Sequence, residues 1–321
     1  MVLESVLKKT SALFAAMLIM AAVWGVRHVP GAGLQMVVFA FLSSAALCSK
    51  SDFNVRTLRC IQLVTGAALA QLLIGSFADY PMMRIIVSML VSFFVLALMP
   101  ERQSAVIVLL IGYLSLLSPP GLTAALNRCA DIALAGAAVL AVTTLCNLFE
   151  PGGTENAAAE SAYTLRQAVI ITAELTVGSI IFQWSNHEQM AWIMLTVIFV
   201  RMAENPQNSI ESLVKQRIAA VPLGIIAGGI YLACFDSTSV QMIYIVPFSG
   251  MFCFFMLYLK NDYFIFTFLF IFTLTVFTDW MLGSSKRFYF TDIMLSRSVA
   301  AMIGGALLLL GKKFMQKESV S

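Results

Sequence analysis

Few side chains in this sequence could do chemistry, and those few have unusual settings. Glu174 stands in an apolar stretch, with Ile170-Ile-Thr-Ala before it, Leu175-Thr-Val after it, and Arg166 eight residues upstream. A carboxylate surrounded by hydrocarbon is costly and must face a cavity or a partner, which makes Glu174 a default candidate for binding and releasing a proton. The plainer alternative is a structural carboxyl, protonated or paired with an arginine. Asp131 follows Arg128 by one helical turn, so a proton relay competes there with a local ion pair. Arg59 and Arg217 each lead from a polar segment into an apolar one. A guanidinium presents a planar fork that suits a carboxylate, so both are candidates for lining the path of an anionic substrate. The alternative at each is an arginine that snorkels to head groups.

Enzymatic chemistry finds no such footing. His28 and His187 have no acid at H-x-x-x-x-D spacing, and neither H-E-x-x-H nor G-x-S-x-G occurs. Gly305 to Lys312 has five residues between its glycines instead of four and lies inside an apolar run, so it is no phosphate-binding loop. Cys48, Cys60, Cys129, Cys146, Cys234 and Cys253 stand singly, without C-x-x-C pairing, and read as reduced, small apolar residues. No catalytic residue, metal site or cofactor is expected.

The elements that must position these residues are transmembrane helices. Of 321 residues, 60% are hydrophobic and 12% charged, against about 25% charged in a soluble domain. A net charge of +3 with no long basic run excludes a nucleic-acid binder. Apolar spans fall at roughly 10–27, 33–48, 57–76, 82–99, 104–118 and 129–149, and after a polar break at roughly 166–184, 190–203, 213–234, 240–259, 263–281 and 293–311. Membrane barrels alternate over about ten residues, whereas these runs are continuously apolar. The first span follows Lys8-Lys9 like a secretory signal, but no small-x-small site precedes Arg27, so it is read as a permanent helix.

The two halves resemble each other. An offset of 158 residues lays Trp192–Ala233 over Leu34–Gly75 without a gap, matching Phe199 with Phe41, Arg217 with Arg59 and Gly224 with Gly66. An arginine followed seven or eight residues later by glycine opens four spans: Arg59/Gly66, Arg128/Gly136, Arg217/Gly224 and Arg297/Gly304. Two of these arginines enter from one side of the membrane and two from the other, as nested 3+3 inverted repeats would require. Gly66, Gly136, Gly224, Gly228 and Gly304 are expected to let helix backbones approach closely, Gly224 and Gly228 at small-xxx-small spacing. The expected fold is therefore an all-α membrane protein of about twelve transmembrane helices in two six-helix repeats. Its parts are a first repeat at 1–149, a cytoplasmic linker at 150–165 and a second repeat at 166–321.

Orientation follows from basic residues. Lys8, Lys9, Lys50, Arg56, Arg59, Arg102 and Arg166 lead the excess on one side, against Arg27, Arg84, Arg128, Lys286, Arg287 and Arg297 on the other, so both termini are expected in the cytoplasm of a bacterial inner membrane. Trp24, Trp184, Trp192 and Trp280 then fall near the outer interface and read as membrane anchors, and His28 and His187 occupy outer loops. The second and eighth spans are short at matched positions, a sign of a transporter site. The substrate path is expected between spans two, three, eight and nine.

Trp192-Ile-Met-Leu-Thr-Val-Ile-Phe-Val, the turn Glu204–Ser209, Lys215-Gln-Arg217 and Leu223-Gly224-Ile-Ile-Ala-Gly228 resemble the signature region of the fusaric-acid-resistance and aromatic-acid-exporter superfamily. The resemblance implies export of aromatic carboxylic acids or related amphiphiles, often with a periplasmic adaptor. The chain departs from larger members, which carry sizeable cytoplasmic domains. Expected partners are a small-molecule acid and the lipid bilayer, with a membrane-fusion adaptor and homo-oligomerisation as further options. A proton gradient is one option for the energy source. A non-catalytic assembly subunit and a lipid-handling protein are the alternative functions.

Overall fold

Long apolar runs with few charges can satisfy their backbone hydrogen bonds in lipid only as helices or closed barrels. The computed structural model describes residues 53–77, 80–117, 121–148, 162–204, 208–234, 263–282 and 290–316, together with Phe39, Leu42, Ser43 and Leu47. Among these residues the chain forms nine α-helices: α1 (Phe53–Ser76), α2 (Pro81–Leu98), α3 (Arg102–Leu114), α4 (Leu122–Leu148), α5 (Leu165–Ser185), α6 (Trp192–Ala203), α7 (Ile210–Cys234), α8 (Tyr263–Leu282) and α9 (Phe290–Gln316). They coincide with the expected spans three to nine, eleven and twelve. The first and tenth spans, nearly all of the second, and most of the linker lie outside the described residues, as do His28 and Trp24.

Local signals explain the boundaries. Pro81 opens α2, where its missing N–H is no loss. Thr164 caps α5 by accepting from Gln167 N, and the Gln167 side chain accepts from Thr164 N in return. Asn186 ends α5 in the left-handed region at φ 50°, a conformation that asparagine tolerates better than most residues.

Helix length sets two groups of helices apart. Six helices, α1, α2, α4, α5, α7 and α9, are long and apolar enough to cross a membrane, and the chain is a multi-pass helical membrane protein. They turn apolar side chains outward: α1 exposes Leu58, Ile61 and Leu69 while burying Arg56 and Gln71. By contrast α3 has 13 residues and α6 has 12, about 20 and 18 Å at 1.5 Å per residue, too short for a hydrocarbon layer of about 30 Å. Both are buried on all sides, from Ser104 to Leu114 and from Trp192 to Arg201. A short helix without a lipid face must be enclosed by protein. The eighth span was expected to be short; the fifth proves short as well.

The long helices enclose the short ones. α1 packs on α3 and α4, α7 packs on α8 and α9, and α6 lies among α3, α5, α7 and α9. Glycine permits the closest of these approaches. A Cβ at Gly304 of α9 would lie 2.8 Å from Ile193 O and 2.9 Å from Thr196 Cβ on α6. One at Gly224 of α7 would lie 2.7 Å from Phe268 O on α8, and at Gly228 2.9 Å from Thr275. Gly66 of α1 faces Val108 of α3, and a Cβ at Gly136 of α4 would overlap Val64 Cγ2 and sit 3.7 Å from Phe39 Cε1.

Candidate functional site

The site forms around α6, where a buried helix meets two buried arginines. Arg217 projects from α7 and has no solvent exposure. Its Nε donates to Thr196 Oγ1 at 3.2 Å, and its Nη1 donates to Tyr263 Oη at 3.4 Å. The guanidinium lies over the Phe199 ring, 4.8 Å from the centroid. Phe199 in turn contacts Phe270, with centroids 4.8 Å apart, and Phe266, which stacks on Phe270 at 6.0 Å. Helices α6, α7 and α8 each contribute to this cluster, and close α7–α8 packing at Gly224 brings the α8 aromatics within reach.

Electrostatics make this arginine conspicuous. Among the described residues no carboxylate lies within ion-pair distance of Arg217, and its Nη2 is buried without a hydrogen-bond partner. Taking a cation out of water costs several kcal/mol even after relaxation, and a stacked ring returns about 0.5–2 kcal/mol. Two neutral oxygens offset a further part. Each oxygen accepts from the guanidinium and retains its own hydroxyl proton to give. The group can therefore take an acceptor anion: the unpartnered Nη2 amino group, two hydroxyl donors and a flat aromatic wall.

A different solution holds at the far end of α6. Arg201 donates from Nη2 to Glu174 Oε1 at 2.5 Å and from Nε to Glu174 Oε2 at 3.3 Å, a two-pronged pair in which both residues are nearly inaccessible. Its Nη1 donates to Glu204 Oε2 at 3.0 Å. Glu174 occupies the middle of α5, and α6 is short enough for its terminal Arg201 to reach that depth. Glycine makes the room, since a Cβ at Gly311 of α9 would overlap Glu174 Oε1. One residue on, Lys312 pairs with Glu211 at the start of α7. Glu174 is thus an Arg-paired carboxylate, and its partner is Arg201; Arg166 instead donates to Phe314 O at 2.6 Å.

The remaining candidates sit elsewhere. Arg59 is partly exposed and pairs with Glu101 at 3.1 Å, just before α3, and with Gln62 at 3.1 Å. Asp131 and Arg128 are both buried on α4, and a Cβ at Gly75 would approach Arg128 Nη2 to 3.0 Å. Trp184 is 86% exposed, as a membrane anchor would be, but Trp192 is buried under Arg297, whose Cζ lies 4.7 Å from the ring. The anchor reading of Trp192 is corrected: α6 has no lipid face on which to present it. His187 accepts from Gln189 N and lies 3.4 Å from Ser296 Oγ.

Sequence reasoning missed Arg201, Phe199, Tyr263 and Gly311. Arg201 had a usable signal, since an arginine ending a short span can reach the middle of a longer neighbour. The aromatics had none, because phenylalanine is abundant throughout the chain. No curated protein and no solved structure matches the chain. Residues 176–311 match the model of the family described as Fusaric acid resistance protein-like, a stretch that includes all of the Arg217 cluster and Arg201 and that agrees with the resemblance of the signature region.

Proposed function

We propose that the protein exports aromatic carboxylates or related amphiphilic anions, with Arg217 anchoring the carboxylate and Phe199, Phe266, Phe270 and Tyr263 receiving the ring. The observation that carries this is the buried Arg217, held only by neutral groups among the described residues and facing aromatic walls. A carboxylate would complete its hydrogen bonding as a charge-assisted pair. The family match over residues 176–311 supports the transporter class.

Proton coupling belongs to Glu174. When Glu174 takes up a proton, its attraction for Arg201 falls and Arg201 leans on Glu204 alone. Because Arg201, Phe199 and Thr196 share α6, a shift of that helix would reach the substrate group directly. The twelve-helix arrangement in two repeats is supported by a recurring contact: Gly66, Gly224 and Gly304 back onto α3, α8 and α6, and Gly136 approaches Phe39 of the second span. Both termini in the cytoplasm of the inner membrane, a periplasmic adaptor and self-association complete the proposal, from the basic-residue pattern and the resemblance. Arg59, at the position matched to Arg217, would guide anions toward the path.

Benzoate binding to detergent-purified protein tests the anchor. R217Q should weaken binding at least about tenfold, the value of one charged hydrogen bond, and R217K should recover only part because it lacks the fork. Unchanged affinity in R217Q would overturn the assignment.

A further inference from the structure

The opposite end of α6 holds a second pair of buried donors that the Arg217 cluster does not use. Trp192, the first residue of the helix, and Arg297 of α9 are each 4% exposed. Arg297 Nε donates to Gln189 Oε1 at 2.8 Å, and its guanidinium covers the indole ring at 4.7 Å. Among the described residues, Arg297 Nη1 and Trp192 Nε1 are buried without any hydrogen-bond partner, and no carboxylate lies within ion-pair distance of Arg297.

Both atoms can only donate. A buried donor left unpaired costs about 1–3 kcal/mol, so two beside each other call for one acceptor that serves both. A 3-10 turn, Glu188–Ala191, runs straight into α6 and takes up the Trp192 backbone N–H at Gln189 O and Met190 O, so the unmet donors here are side-chain groups alone. A guanidinium lying on an indole, each side chain with an unmet buried donor, supplies donors for an oxyanion beside a flat ring.

We infer that Arg297, Trp192 and Gln189 form a second anion station, which takes the carboxylate of an aromatic acid at the end of α6 opposite Arg201. Its place on an export path rests on the function proposed above; the site itself rests on the unmet donors. Trp192 and Phe199 are seven residues apart, about 10 Å along the helix. Between them, at Ile193 and Thr196, Gly304 brings α9 into backbone contact with α6. The stations therefore flank a tight helix seam, and an anion passing from Arg217 to Arg297 would need that seam to loosen.

The test uses the full-length protein in nanodiscs with Trp24, Trp184 and Trp280 replaced by Phe, so that Trp192 alone reports. Benzoate should change its fluorescence saturably. R297Q should weaken that response at least about tenfold, as loss of a charged hydrogen bond does, and R217Q should leave it in place. R297K serves if R297Q does not fold, since it keeps the charge without the Nη1 donor, and it too should weaken the response. A response lost in R217Q but kept in the Arg297 variants would overturn the second station and leave the first intact. No response in the Trp192 reporter would overturn it as well. Benzoate binding by calorimetry in R297Q, compared with the R217Q/R297Q double variant, judges the first station separately.

Discussion

Arg201 and Arg217 lie at neighbouring points of one bundle, both buried, both touching α6 or belonging to it, and the chain treats them in opposite ways. Arg201 is neutralised by Glu174 and Glu204. Arg217 has Thr196, Tyr263 and Phe199, polar and polarisable but uncharged. The first arrangement is complete in itself and ties α5 to α6. The second leaves a cation with spare donor capacity, which is what an anion-binding group requires. Burial of an arginine alone therefore says little; the charge of its neighbours decides whether it serves the fold or a ligand.

The largest expected effect lies on the paired side. R201Q strands the Glu174 carboxylate, and breaking a buried pair from one side costs about 3–5 kcal/mol. The thermal midpoint of the solubilised protein should drop sharply, and E174Q/R201Q should recover most of the loss. R217Q, in contrast, removes a cation that no described carboxylate balances and should leave the midpoint level or higher. Equal destabilisation by the two would erase the distinction.

Next in size is E174Q, which preserves shape while removing ionisation. The protein should remain in the membrane at wild-type levels, and efflux of labelled aromatic acid that depends on the proton gradient should cease. Wild-type efflux rates in E174Q would reduce the pair to a structural clamp. The smallest effect sharpens the ligand side. Y263F deletes one hydroxyl near Arg217 and should weaken benzoate binding by about 1 kcal/mol, roughly fivefold, with the thermal midpoint little changed. A shift in stability without a shift in affinity would assign Tyr263 to packing.

Much of this fold could be read in advance. Composition requires a membrane protein, since a water-soluble core cannot absorb so much apolar surface, and the nine described helices fall where hydropathy puts spans. Arg217 and Glu174 stood out because charged groups inside apolar runs are conspicuous in one dimension. Their roles relative to each other were not visible, because partnership depends on depth, and depth depends on which helices are cut short. The burial of α3 throughout was hidden too: a run from Ser104 to Leu114 looks the same whether lipid or protein surrounds it.

By itself, then, the sequence determined the solvent of the chain, the placement of its helices, the position of its rare charges and the family likeness of residues 176–311, because each is a property of local composition and order. Only the tertiary structure decided that Glu174 meets Arg201, that Trp192 lies under Arg297 instead of in the lipid interface, and that Arg217 is ringed by aromatics. Those outcomes depend on side chains from α5 to α9 converging on one short helix. Distances between residues far apart in the chain are set by packing, and here the packing turns on close approaches at Gly224, Gly304 and Gly311.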